Sequence, residues 1–282
     1  MDPLRTLSLT MSSPALEREY RRLADALQRT PGELPAFDPA RWRPESLRAA
    51  RAAWIERMSA EHRSFPVFAS LASQLSEAGA TFDAEAVMLR MAQDEIRHAE
   101  LCGVVVSTLG GEPSCVAERA VAPLARHPGC SPEERALRNV IYTTCLSEMV
   151  AVARFVEALD AMEDPFLAEC TRRLLADEVL HGQFGFHYLE AWQPWLAAHP
   201  EVCDGIERYL RGAFTVLEHA LAGTSPQPWT VTDEERALGC PDPARAREVF
   251  HTTLEGAVLP SLERYGIRAQ RAWRERRAPD GA

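Results

Sequence analysis

The pentad Asp-Glu-x-x-His occurs twice, as Asp94-Glu95-Ile96-Arg97-His98 and as Asp177-Glu178-Val179-Leu180-His181. Residues three apart share one face of an α-helix, so each glutamate and its histidine can reach one metal ion from a single rigid rod. With 29 glutamates and 8 histidines, roughly one ExxH is expected by chance in 282 residues. Glu248-Val249-Phe250-His251 is such a bystander, with no preceding aspartate and no partner half. Requiring the aspartate lowers the chance expectation to about a few hundredths, so the doubled pentad is the informative signal.

Hard carboxylate oxygens with one imidazole per metal suit iron or manganese better than zinc or copper. Two ExxH pairs leave each metal one ligand short, and a helical bundle supplies the remainder as one glutamate from each of two further helices. Glu148 lies in the apolar run CLSEMVAVARF, where a carboxylate on a buried face needs a partner or a metal. It precedes Glu178 by 30 residues. Glu61 precedes Glu95 by 34, and Glu56 competes at 39; Glu61 is preferred because its spacing matches better and Phe68 follows it by seven, as Phe155 follows Glu148. The halves then read as a pseudo-repeat, E…DExxH twice. A metal-bound histidine needs its other ring nitrogen anchored, and Asp94 and Asp177 are the candidates, each reaching the histidine of the opposite half.

Apolar residues recur at three- and four-residue spacing along most of the chain, and no strand alternation stands out, so the expected fold class is all-α. A short helix is expected over residues 14–29, then a proline-rich connector. Four long helices are expected over about 46–77 with a kink at Pro66, 83–109 ending at Gly110-Gly111, 131–161 opened by Ser131-Pro132-Glu133-Glu134, and 165–195. Some 20 residues separate the second and third, the spacing of a four-helix bundle with one long crossover. Two more helical stretches follow, about 201–222 and 244–275. The core bundle is thus placed at about 46–195, with an N-terminal extension over 1–45 and a C-terminal helical one over 200–282, in a single domain.

Composition removes several chemistries. All 31 basic residues are arginine, so Schiff-base formation, pyridoxal phosphate attachment and a Walker A lysine are excluded. The net charge of −10 speaks against nucleic acid and anionic membranes as partners. Seven scattered cysteines with no CxxC pair fit neither a disulfide framework nor an iron–sulfur cluster. The first residues lack the layout of a signal peptide, and a cytoplasmic location is the default.

With these motifs in hand, the sequence resembles the ferritin-like di-iron carboxylate proteins, whose pattern is E…ExxH…E…ExxH on four helices. The resemblance covers about residues 46–195. It implies Glu61, Glu95, His98, Glu148, Glu178 and His181 as metal ligands, with Glu95 and Glu178 as the bridging carboxylates. The run from Asp94 to Cys102 is similar to the oxygen-activating hydroxylase subunits of bacterial multicomponent monooxygenases, although Leu180 stands where those proteins often have arginine. The helix spacings also resemble the di-iron arylamine N-oxygenases, whose additional histidine is replaced here by Leu174.

Such a centre binds O2. The expected function is therefore that of an O2-activating non-haem di-iron oxidase or oxygenase, acting on a small organic substrate through a peroxo-diferric intermediate. Two irons are the expected cofactor, with Mn/Fe or Mn/Mn pairs as alternatives. The expected partners are O2, the substrate and an external electron donor, and a homodimer is allowed. The alternative is a ferroxidase or iron-handling protein. Weaker readings attach to Tyr142 as a redox neighbour, to Cys102 and Cys145 near the metal layer, and to Phe65, Phe68, Phe155 and Phe184 as pocket walls; each of these is also an ordinary core residue. The glycines of HGQFGFHY either widen a substrate cavity or ease helix packing.

Overall fold

Proline and glycine place the helix ends. The computed structural model describes residues 4–8, 32–118, 124–222 and 230–276. Helix α1 (Pro44–Glu77) has proline in its first turn and runs unbroken through Pro66. Helix α2 (Phe82–Thr108) stops where Gly110 takes φ +79°, and the Gly111 N–H reaches back to the Val106 carbonyl at 2.9 Å. Ser131 caps α3 (Pro132–Val140) by accepting the Glu134 N–H at 3.2 Å, as the Ser-Pro-Glu-Glu signature predicts. The chain then widens into π-helical turns over Ile141–Glu148 and continues as α4 (Met149–Ala161). Asp164 caps α5 (Pro165–Ala198).

These four rods close a ring of contacts: α1 packs on α2, α2 on α5, α5 on the π-helical turns and α4, and α3 on α1. Between α2 and α3 the crossover contains strand β2 (Ser114–Glu118), which pairs antiparallel with β1 (Leu4–Ser8), Leu4 opposite Glu118. This ribbon corrects the expectation of no strand. The two five-residue segments lie on either side of the first two helices, so their pairing is non-local in sequence, and neither carries a period-two signal strong enough to announce itself. The helix expected over 14–29 lies outside the described residues.

Beyond the four rods come α6 (Pro200–Ala222), α7 (Asp233–Ala237), α8 (Pro243–Thr253), π-helical turns at Leu254–Val258, α9 (Leu259–Glu263) and α10 (Ala269–Arg274). The stretch expected as one helix over 244–275 is broken, because Gly266 at φ +78° turns the chain after α9. Among the described residues no helix is long and apolar enough to cross a membrane.

Two apolar clusters fill the interior. One holds Phe68, Leu71, Met88, Leu137, Leu146 and Phe184 with α6 and α8 residues; the other holds Trp54, Met58, Cys102, Val106, Phe155 and Leu167. The glycine question is answered by α5 against the π-helical turns. A Cβ on Gly185 would overlap Thr144 Oγ1 and come within 2.5 Å of Cys145 Sγ, and one on Gly182 would lie 2.9 Å from Met149 Sδ. These glycines ease packing. Gly212 of α6, by contrast, has open space where a Cβ would stand. Gly185→Ala is therefore expected to destabilise by about 1–3 kcal/mol through overpacking, whereas Gly212→Ala should gain up to about 1 kcal/mol from helix propensity. Calorimetric unfolding of both variants checks this, and equal effects at the two positions would contradict it.

Candidate metal centre

Midway along each rod sits a glutamate, and the four meet in a layer between the two apolar clusters. Glu61 comes from α1, Asp94, Glu95 and His98 from α2, Glu148 from the end of the π-helical turns, and Asp177, Glu178 and His181 from α5. Seven of the eight are buried; Glu148 is half-buried. The competing Glu56 is exposed and pairs with Arg63, so Glu61 is the α1 residue in the layer.

The side chains fall into two overlapping groups, Glu61, Glu95, His98 and Glu178 in one, Glu148, Glu178 and His181 in the other, with the ligand atoms of each group within 4.8 Å of one another. Glu178 spans both: its Oε1 lies 3.0 Å from His98 Nδ1 and its Oε2 3.1 Å from His181 Nδ1. Glu95 Oε1 lies 3.1 Å from His181 Nδ1, and Glu61 Oε2 lies 3.6 Å from His98 Nδ1. His98 Nδ1 and Glu95 Oε1 nevertheless form no hydrogen bond, although both are buried. His181 Nδ1 and Glu178 Oε2 pair with each other, but His98 Nδ1 and Glu95 Oε1 converge on the centre unpaired, the behaviour of ligands aimed at a common cation. The donor set, four glutamates and two imidazoles, suits a pair of hard or borderline divalent ions and is compatible with a di-iron site.

Each histidine turns its other nitrogen toward the aspartate of the opposite half, through a hydrogen bond at His98 and a longer charge contact at His181. Asp177 Oδ2 lies 3.4 Å from His98 Nε2, and Asp94 Oδ2 lies 3.5 Å from His181 Nε2. An acceptor at Nε2 leaves the Nδ1 lone pair free for a metal. The arginines behind this layer were not singled out from sequence. Arg97 Nη1 donates to Asp94 Oδ1 at 2.6 Å and lies 3.6 Å from Asp177 Oδ2, while Arg90 Nε donates to Asp94 Oδ1 at 2.7 Å. Their helical spacing of three and four from Asp94 was the available signal. Arg97 contacts both aspartates, and Leu180, at the corresponding position of the second half, is exposed.

The electrostatics express too much negative charge in one place. Burial and then the Glu178 carboxylate push Glu95 up to about 8. Burial, Glu178 and Glu95 likewise raise Glu148 well above the usual carboxylate range. Burial pulls both imidazoles down, but Glu178 and the surrounding carboxylate contacts outweigh it and hold His98 and His181 well above the usual histidine range. Burial opposes ionisation of Glu178 too, yet the two histidines keep it well below the ordinary value. Divalent cations can replace those protons.

On one side the layer opens into a cavity of about 480 Å³, lined by Ser64, Phe68, Tyr142, Thr143, Ser147, Glu148, Tyr209, Gly212, Val216 and neighbours. Its walls come from α1, from α3 with the π-helical turns, from α6 and from Leu124 and Ala125 of the crossover. Of the four phenylalanines considered as pocket walls, Phe68 lines it, with its ring 5.7 Å from that of His181. Phe65 packs at the edge of the first apolar cluster, Phe184 stacks on Tyr188 within it, and Phe155 belongs to the second. Tyr142 is a half-buried wall residue, and Cys102 and Cys145 are buried core thiols. His62 is half-buried and His187 exposed, and neither belongs to the ligand groups. Tyr209 and Val216 were missed because nothing in the spacing of α6 shows that it folds back over Glu148. No protein-family model matches this chain, and no curated protein matches it.

The proton balance gives a prediction with a definite sign. Glu95, Glu148, His98 and His181 hold protons more tightly folded than unfolded, so the stability they contribute is lost as pH rises; for Glu95 the window runs from 4.5 to about 8. Glu178 acts oppositely, but its contribution disappears only well below pH 4.5. Metal-stripped protein is expected to lose stability from about pH 5 to 8, and added Mn2+ to raise Tm more at pH 8 than at pH 6. Calorimetry at both pH values, with and without metal, decides; equal metal-induced shifts would count against these groups being the ligands.

Proposed function

We propose that this chain is a ferritin-like non-haem di-iron oxidase or oxygenase that uses O2 to oxidise a small organic substrate. The observation that carries the reading is the juxtaposition of a two-metal ligand set with a predominantly apolar cavity, joined at Glu148. An iron store needs no such chamber, whereas an oxygenase must hold an organic molecule beside its metals and keep bulk water away.

In this reading Glu61, Glu95 and His98 would hold one iron and Glu148, Glu178 and His181 the other, with Glu178 within reach of both groups. Bound iron supplies the redox chemistry with O2. The chain's own tasks are geometric and electrostatic. Asp177 and Asp94 orient the imidazoles, Arg90 favours the ionised form of Asp94, and Arg97 braces both aspartates through its contacts. Phe68, Tyr142 and Val216 exclude water and present an apolar wall, while Thr143 and Ser147 offer hydroxyls to one polar group of the substrate. No nicotinamide, flavin or iron–sulfur motif is present in the sequence, so electrons are supplied by a separate donor, the substrate or peroxide.

The test is anaerobic reconstitution with ferrous iron. About two irons per chain are expected in the unaltered protein and in Glu56→Ala, about one in Glu61→Ala, and none held stably in Glu178→Ala, which removes a ligand common to both groups. Full occupancy of Glu178→Ala would sink the ligand assignment. On mixing with O2, oxidation limited to the bound pair supports the oxygenase reading; continued oxidation of many further ferrous ions would replace it with ferroxidation. Asp94→Asn should retain both irons and oxidise them at an altered rate, since it changes only how His181 is held.

A further inference from the structure

The halves of the pseudo-repeat place two different environments on opposite sides of the carboxylate layer. The cavity lies toward the C-terminal half of α1 and the N-terminal side of Glu148, at Phe68 and Thr143. Its pseudo-symmetric counterpart lies one turn before Glu61 on α1 and beyond Glu148 on α4, at Phe155, the residue equivalent to Phe68. There Arg57 of α1 lies over the Phe155 ring, and Arg154, the residue before Phe155 on α4, feels the Arg57 charge.

Arg57 is held by aromatic faces. Its guanidinium carbon lies 4.3 Å from the Trp54 ring centre and 5.2 Å from that of Phe155, and the Trp54 indole is itself fixed by donating to the Leu238 carbonyl at 3.1 Å. This fixes the guanidinium but supplies no hydrogen-bond acceptor, and Arg57 Nη1 is buried with no partner. Arg154 is half-buried nearby, and burial followed by the Arg57 charge pulls its guanidinium below the usual arginine range. The acid that favours its charged form, Glu157, faces Arg245 at 3.6 Å. Among the described residues, Arg57 and Arg154 form no ion pair or hydrogen bond. Two like charges, one with a buried unused donor, are costly unless an anion joins them.

We propose that Arg57 and Arg154 bind a small carboxylate anion between them, at a site separate from the cavity and independent of the oxidase reading. The planar guanidinium fork matches a carboxylate bidentately, and the two aromatic rings fix the orientation of that fork. The ligand enters as a preformed anion, and no covalent step is involved. An occupied site would tie α1 to α4 within about one helical turn of Glu61, bracing the end of the metal layer farthest from the cavity.

The experiment is a thermal-unfolding titration of metal-stripped full-length protein with sodium acetate, against sodium chloride at matched ionic strength and against phosphate. Acetate at ten times its Kd should raise Tm by about 2–3 °C over the chloride control, and Arg57→Met and Arg154→Met should each abolish that excess. Because either variant can alter basal stability, the quantity read is the acetate-minus-chloride difference within each protein, with calorimetric binding of acetate as a second measure. An excess absent from the unaltered protein, or retained in both variants, overturns the site; a larger arginine-dependent effect from phosphate overturns the carboxylate assignment. Iron content of the two variants should match that of the unaltered protein, so failure here leaves the ligand set of the metal centre standing.

Discussion

Four glutamates, two aspartates and two histidines gathered at one height set the terms on which the rest of the protein is built. Buried carboxylates are expensive unless ionised next to cations or held protonated. Apolar clusters above and below keep solvent from the layer, so its charge must be balanced from within. Arg97 and Arg90 balance the aspartates, the imidazoles balance Glu178, and Glu95 and Glu148 are left favouring the neutral form. Helix ends at Gly110, Ser131 and Asp164 set the register that brings all eight side chains together.

Within this near-symmetric layer the two halves do different work. Glu61 and Glu148 occupy equivalent positions, but Glu148 ends a π-helical segment and faces the cavity, whereas Glu61 is buried. Widening the helix leaves backbone carbonyls to be satisfied, and the Thr143 and Thr144 hydroxyls donate to the Asn139 and Val140 carbonyls at 2.7 Å. Gly182 and Gly185 let α5 approach this bulkier segment. On the opposite side, Arg57 and Arg154 occupy the position corresponding to the chamber. One half of the repeat therefore presents an apolar cavity and the other a pair of arginines.

The helices after residue 200 form a cover over the four rods. Tyr209, Gly212 and Val216 of α6 complete the chamber wall, and α6 is fastened to the C-terminal segment through buried Glu207, which accepts hydrogen bonds from Arg211 and Arg268. Arg276 continues this tie by donating to Glu218 at 2.8 Å. Without lysine, such ties fall to guanidinium groups, whose planar forks suit paired carboxylates.

The local features were legible in the sequence. The ExxH spacing put Glu95 with His98 and Glu178 with His181 on helix faces, Glu148 stood out as a carboxylate in an apolar run, and Pro, Gly and Ser-Pro-Glu-Glu marked helix ends near where they occur. The aspartate-to-histidine pairing across halves was also foreseeable, because neighbours on one helix cannot face each other. Glu61 over Glu56 was a preference of spacing that packing settled. The ribbon joining residues 4–8 to 114–118, the turn at Gly266, and the widening of the third rod required tertiary contacts that no local pattern encodes. So did Arg97 reaching both aspartates, the closing of the chamber by α6, and the placing of Arg57 over the Phe155 ring. The sequence by itself determined which side chains can share a helix face, because that depends only on residue spacing along one rod. Tertiary structure decided which faces meet, because that depends on how separate rods pack.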